Sequence, residues 1–143
     1  MRRWGAALIC ALWAGSMTPA QSQSHCRLAL VLALDVSSSV DAEEYALQRD
    51  GLAAALNAPL IRETILAGDG HVSIAIYEWS GRRQSAMVSN WVALTDNAAI
   101  DGVIQSLVSA PRSHTRFPTA MGYALGYGAT LLSRGPVCDR QVI

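Results

Sequence analysis

Residues 28–34 read Leu-Ala-Leu-Val-Leu-Ala-Leu, an unbroken apolar run that stops at Asp35 and continues as Val36-Ser37-Ser38-Ser39-Val40. A run of seven apolar residues fits a strand buried on both faces, as in a parallel sheet covered by helices. Asp41 with Glu44 three residues later is an N-cap and capping-box pair, so a helix is expected from Asp41 to about Asn57. Its apolar side is read as Tyr45, Leu52, Ala55 and Leu56, and Pro59 ends it. The fold is decided here, because a buried strand leading through a polar loop into a capped helix is the opening unit of an α/β sandwich.

Working outward, Leu60 to Ala67 is a shorter helical piece closed by the turn Gly68-Asp69-Gly70. Val72 to Trp79 (VSIAIYEW) is β-rich and alternates. Ser80 to Arg83 turns the chain, and Gln84 to Trp91 returns as a second strand. Asp96 caps a helix over Ala98 to Ser109, with Ile100, Val103, Ile104 and Leu107 at helical spacing. Ala110 to Pro118 reads as a loop, Thr119 to Ser133 as a helix stopped by Gly135-Pro136, and Val137 to Ile143 as a further strand. The order β-α-α-β-β-α-α-β predicts a mostly parallel central sheet with helices on both faces. The sequence closes on a strand without a covering helix, so the C-terminal part of the domain is expected to be missing.

Asp35, Ser37 and Ser39 sit at the carboxyl end of the first strand, where open α/β sheets bind ligands. One carboxylate and two hydroxyls at a spacing of two residues can converge on a hard cation. Such a donor set suits Mg²⁺, Mn²⁺ or Ca²⁺, not zinc or copper. The same residue types also enrich ordinary turns and caps.

Composition bounds the alternatives. The chain has 143 residues, 51% of them hydrophobic and 15% charged, against ~25% charged in typical soluble domains. That excludes disorder and fits one domain. All 11 basic residues are Arg and lie scattered, so nothing marks a nucleic-acid or anionic-membrane surface. Residues 1–20 (MRRWGAALICALWAGSMTPA) combine a basic start, an apolar stretch from Trp4 to Gly15, and Thr18 and Ala20 at a −3/−1 cleavage pair. That is the pattern of a signal peptide, too short to span a bilayer at ~20 residues. The expectation is cleavage after residue 20, a domain over 21–143, no stable membrane insertion, and a secreted or periplasmic location. Without the leader, 9 Arg stand against 11 acids, a net charge of −2. Cys26 and Cys138 are then an even pair in an oxidising compartment, open to a disulfide or to two buried thiols.

Rival chemistries lack their parts. An aspartyl phosphotransferase needs a carboxylate two residues after Asp35, where Ser37 stands. No G-x-S-x-G elbow or H-E-x-x-H occurs, and His25, His71 and His114 read as isolated loop residues. Gly122, Gly126 and Gly128 fall inside a helix and read as packing glycines. Trp79 and Trp91 read as core or rim residues, and Arg82 and Arg83 as a solvated turn.

With these motifs in hand, the sequence resembles the von Willebrand factor A domain family. Its metal-ion-dependent adhesion site begins with this D-x-S-x-S and continues with a Thr at the head of a later helix. Thr119 followed by Ala124 and Leu125 has that form. Glu78-Trp79-Ser80-Gly81 and the start from Cys26 to Asp35 resemble a family of secreted bacterial A-domain-like proteins of unknown function.

The resemblance covers Leu28 to Ile143 and implies Asp35, Ser37, Ser39 and Thr119 as metal ligands. It also implies a third-motif Asp beyond Ile143, so binding of Mg²⁺ (or Mn²⁺ or Ca²⁺) is expected to be weak in this stretch. The family architecture sets the first strand beside the fourth, with Cys26 and Cys138 at one end, which favours the disulfide. The resemblance implies no catalytic residues. It implies a protein partner that offers an acidic side chain to the cation, and no enzyme activity. The alternatives are a structural or assembly module with a vestigial site and, last, a hydrolase.

Overall fold

The computed structural model describes residues 25–143, and the segment read as a signal peptide lies outside them. The chain runs β1 (Cys26–Asp35), α1 (Ala42–Asn57), α2 (Pro59–Leu66), β2 (His71–Trp79), β3 (Ser85–Leu94), α3 (Asn97–Ser109), α4 (Met121–Arg134) and β4 (Arg140–Val142). The sheet order is β3-β2-β1-β4. β1 pairs in parallel with β2, from Cys26 opposite His71 to Asp35 opposite Trp79, and with β4 over Leu28 to Leu30. β2 and β3 form the antiparallel hairpin, from Val72 opposite Leu94 to Trp79 opposite Ser85. The expected α/β sheet with helices on both faces is the observed architecture.

Period-two alternation along β1 and β2 sorts side chains into two cores. On one face Leu34, Val72, Ile74 and Ile76 pack with Ala53 and Leu56 of α1 and Ile100, Val103 and Leu107 of α3. On the other, Val31, Tyr77 and Trp79 meet Ala124 of α4, with Trp91, Tyr127 and Leu131 beside them. The apparent in–out alternation of VSIAIYEW is therefore misleading. Every residue of β2 after His71 is buried, because the strand is central and covered from both sides.

Local chemistry sets the helix ends. Asp41 accepts from the backbone N–H groups of Glu43 and Glu44, and Glu44 accepts from the N–H of Asp41, a closed capping box. Such a cap contributes about 1 kcal/mol. The buried side of α1 holds Ala53 in place of the expected Ala55, which is exposed. α4 starts at Met121, two residues later than expected. Ala120 is its N-cap, and the Thr119 hydroxyl is bonded elsewhere. β4 begins at Arg140, three residues later than expected, after a bend at Asp139.

Gly122 and Gly126, read as packing glycines, have nothing within 4 Å of where a Cβ would sit, whereas Gly70 lies in the expected turn. Gly70 has φ +82°, and a Cβ there would lie 2.6 Å from the carbonyl oxygen of His25. Of the three helical glycines only Gly128 is a packing glycine, with Tyr77 Oη 3.1 Å from where a Cβ would sit.

The histidines are not isolated. His25 Nε2 lies 2.8 Å from Asp139 Oδ2, His114 stacks edge-on against Phe117 at 5.5 Å, and His71 opens β2. Cys26 and Cys138 form a disulfide with Cα atoms 4.6 Å apart, joining the start of β1 to the approach to β4.

Candidate functional site

β1 ends at Asp35, and the next residues leave the sheet while staying tied to it. Val36 donates to the Trp79 carbonyl at 2.8 Å, and Ser38 donates to the Phe117 carbonyl at 2.8 Å. The second bond draws the loop after α3 onto the loop after β1. From the other side, Ala120 N–H donates to the Ser80 carbonyl at 3.0 Å, which places Thr119 beside the end of β2. Three chain segments far apart in sequence thus meet at the carboxyl edge of the sheet.

The side chains at that meeting point form a triangle of hydroxyls. Ser37 Oγ is 2.9 Å from Thr119 Oγ1 and 3.1 Å from Ser39 Oγ, and Ser39 Oγ is 3.4 Å from Thr119 Oγ1. Ser37 is fully buried, whereas Ser39 and Thr119 are exposed, so the triangle opens to solvent on one side. Asp35 Oδ1 accepts from the Ser37 N–H at 2.8 Å, which anchors the carboxylate at the base of the same loop. All four residues singled out in the sequence therefore lie in one place.

The donor set fits a hard divalent cation. It consists of one carboxylate and three neutral hydroxyls, all oxygen, on a preformed loop. Among the described residues there is no group of three or more His, Cys, Asp or Glu that could hold a metal. An ion here would be bound by hydroxyls and a single acid, a set in which low ligand charge means low affinity.

A second set of residues, unnoticed in the sequence, fixes the loop from behind. Arg112 lies in the stretch read simply as a loop. Its Nη2 donates to the carbonyls of Val36, Ser37 and Val40 at 3.2, 3.1 and 2.8 Å, and Nη1 to that of Asp41 at 3.3 Å. The guanidinium lies 5.2 Å from the centre of the Tyr45 ring, a cation–π contact. Tyr45 Oη in turn donates to Glu78 Oε1 at 2.7 Å, and Ser113 N–H donates to Glu78 Oε2 at 2.7 Å. Glu78 is 1% exposed, so this carboxylate is held in the core by two donors. Burial, reinforced by the neighbouring Glu78 carboxylate, pushes the Tyr45 hydroxyl up to about 12. Glu78 carried the available signal: an acid within an apolar central strand must be partnered.

The fold has close counterparts among solved structures. A von Willebrand factor type A protein from Catenulispora acidiphila superposes with a TM-score of 0.56 at 15% identity, over 82% of this chain and 25% of that one. The PilB minor pilin from Streptococcus sanguinis gives 0.61 at 16% identity, over 87% of this chain and 30% of that one. The pilus adhesin SpaC from Lactobacillus rhamnosus GG, in its open conformation, gives 0.54 at 15% identity, over 80% and 14%. This chain thus spans less than a third of each of these proteins, and at such identities the likeness is one of fold. No curated protein matches the sequence. A family match covers residues 25–143, which takes in every strand, both cores and the hydroxyl triangle. The chain has the fold of a von Willebrand factor type A domain and belongs to the family described as protein of unknown function DUF1194.

Proposed function

We propose that this domain is an exported protein-binding module that recognises an acidic side chain of its partner through a divalent cation held by Asp35, Ser37, Ser39 and Thr119. The observation that supports this reading above all others is the hydroxyl triangle. Oxygens from residues 80 and 82 positions apart are drawn within 2.9–3.4 Å of one another beside a carboxylate at the open edge of the sheet. A bound Mg²⁺, Mn²⁺ or Ca²⁺ supplies positive charge that one carboxylate cannot neutralise, which attracts an anionic ligand. The chain's own part is to present neutral hydroxyls, keep Ser39 and Thr119 open to solvent, and hold Asp35 at the base of the loop. Residues 1–20 act as the signal peptide in this reading, with the domain over 21–143 secreted or periplasmic. Pilus adhesins and a minor pilin among the structural neighbours support an adhesion or assembly role.

One observation favours a second reading. The three hydroxyls hydrogen-bond to each other, an arrangement that also suits a structural or assembly module with a vestigial site. A single titration separates the two. Amide spectra of the chain are followed as Mg²⁺ is added, then N-acetyl-aspartate amide as a carboxylate probe. The adhesion-site reading expects millimolar-range shifts at Ser37 to Val40 and Thr119, further shifts with the probe, and loss of both with EDTA or Asp35→Ala. Probe shifts that persist in EDTA, or an absence of Mg²⁺ shifts, leave the vestigial module standing.

A further inference from the structure

We infer that Arg112 is the positioning residue of this site and sets which cation it accepts: by engaging the backbone carbonyls of the loop after β1, it fixes the hydroxyl triangle and confines an ion's ligands to side-chain oxygens and water. The inference rests on the cation-site reading above and extends it to ion selectivity.

Arg112 is spent almost entirely on this loop. Four of its contacts go to carbonyls between Val36 and Asp41, and its Nε donates to the His114 carbonyl at 3.0 Å, which fixes the stem of the side chain. None of the ion pairs among the described residues involves Arg112. A planar fork of fixed donors suits such a cluster of carbonyls better than the point charge of an ammonium. Its support is equally specific. Glu78 holds the Tyr45 ring against one face of the guanidinium and takes the backbone N–H of Ser113, the next residue in the chain.

The direction of those carbonyls decides the ion. The Ser37 carbonyl accepts from both Arg112 and the Val40 N–H, and the carbonyls of Val36, Val40 and Asp41 face the same cation. A carbonyl oxygen already shared with a guanidinium is a poorer ligand for a second positive charge. Ca²⁺ fills roughly six to eight positions in a flexible shell that commonly recruits backbone carbonyls, whereas Mg²⁺ keeps several waters around a few protein oxygens. A loop whose carbonyls are engaged from behind and whose hydroxyls face forward therefore favours Mg²⁺ over Ca²⁺.

Charge and geometry pull in opposite directions here, which makes the inference testable. A nearby cation repels a bound metal, so if Arg112 acted by charge alone, Arg112→Met would tighten Mg²⁺ and Arg112→Lys would leave it unchanged. If Arg112 positions the loop, both variants weaken Mg²⁺, by about tenfold or more as for other residues that orient metal ligands, and both narrow the Mg²⁺ to Ca²⁺ affinity ratio.

Mg²⁺ and Ca²⁺ titrations of the full chain and both variants, read by amide shifts, measure this. Hydrogen exchange adds a readout that needs no metal: amides of Ser37, Ser38 and Val40 should exchange faster in both variants, with β1 and β2 amides unchanged. Unaltered or tighter Mg²⁺ binding in Arg112→Met, or unaltered exchange in the loop, overturns the inference. If the parent chain binds neither ion, the cation-site reading and the selectivity fall together, and exchange alone decides the positioning role. Arg112→Lys, which keeps the charge and the stem, carries the test if the Met variant does not fold.

Discussion

At one end of β1 the chain is closed by a covalent bond between Cys26 and Cys138, with His25 and Asp139 paired outside it. At the other end Asp35 runs into a loop held by hydrogen bonds from Arg112, Ser37 and Thr119. The first closure is indifferent to pH, salt and ligand within an oxidising compartment. The second is a sum of contacts each worth about 1 kcal/mol net, and every one can be exchanged for water or for an ion's ligand shell. The difference teaches how a small α/β domain can keep an adaptable site. The parallel strands are locked at the end away from the hydroxyl triangle, so the mouth needs only enough order to bring its hydroxyls together.

The largest effect should come from opening the locked end. A loop of 112 residues is closed by the disulfide, and replacing both cysteines with Ala should cost about 2–5 kcal/mol in urea unfolding. The comparison requires that this loss leave the mouth intact. Mg²⁺-induced shifts at Ser37 to Val40 should match those of the parent in the absence of urea. If the disulfide-free chain keeps its stability but loses those shifts, the two ends are coupled and the division drawn here is wrong.

A smaller and more selective effect should follow from loosening the strut behind the mouth. Tyr45→Phe removes one of the two donors to the buried Glu78 carboxylate and should cost about 1–3 kcal/mol. It also has a pH signature. The Tyr45 hydroxyl is raised from 10.0 to about 12, first by burial and then by Glu78, so the unfolded chain releases this proton before the folded one does. Between those pH values the unfolded state binds fewer protons, so stability falls as pH rises. The Tyr45 contribution is intact below pH 10 and is lost by about pH 12. Burial raises the Tyr77 hydroxyl as well, so the quantity to measure is the difference between parent and variant. That difference should shrink across this window in alkaline urea titrations. A difference that stays constant to pH 12 shows that the Tyr45–Glu78 bond does not bear on stability.

The two ends were not equally legible in the sequence. Asp35, Ser37 and Ser39 were readable because a buried strand ending in D-x-S-x-S fixes where they lie, and Thr119 because Thr119 to Leu125 resembles the second element of the A-domain family. The start of the last helix was misplaced by two residues: Thr119 was expected to open it, and the structure has Ala120 as the cap and the Thr119 hydroxyl on Ser37. The residues alone left the disulfide and two buried thiols open, and the strand order implied by the A-domain resemblance favoured the disulfide that the structure has. Arg112 was not readable, because its partners are backbone carbonyls more than 70 positions away, and carbonyls carry no side-chain identity. Glu78 is legible in the sequence only as part of Glu78-Trp79-Ser80-Gly81, because its partners Tyr45 and Ser113 lie 33 and 35 positions away. A central strand covered on both sides hides such partners until its neighbours are known.

The smallest effect should be found at the surface of the locked end, and it tests the comparison most sharply. His25 and Asp139 lie 2.8 Å apart, yet their side chains are 53% and 59% exposed, so water competes for both. Exposed pairs of this kind are worth about 0.2–1 kcal/mol. Asp139→Asn also keeps the backbone bond from Asp139 N–H to the Cys26 carbonyl, which holds the same two segments with no charge involved. The expected loss is therefore smaller than that of Tyr45→Phe, with urea unfolding as the measure. Were Asp139→Asn the costlier of the two, the locked end would depend on its ion pair as the mouth depends on its strut. The covalent bond would then no longer distinguish the two ends of β1.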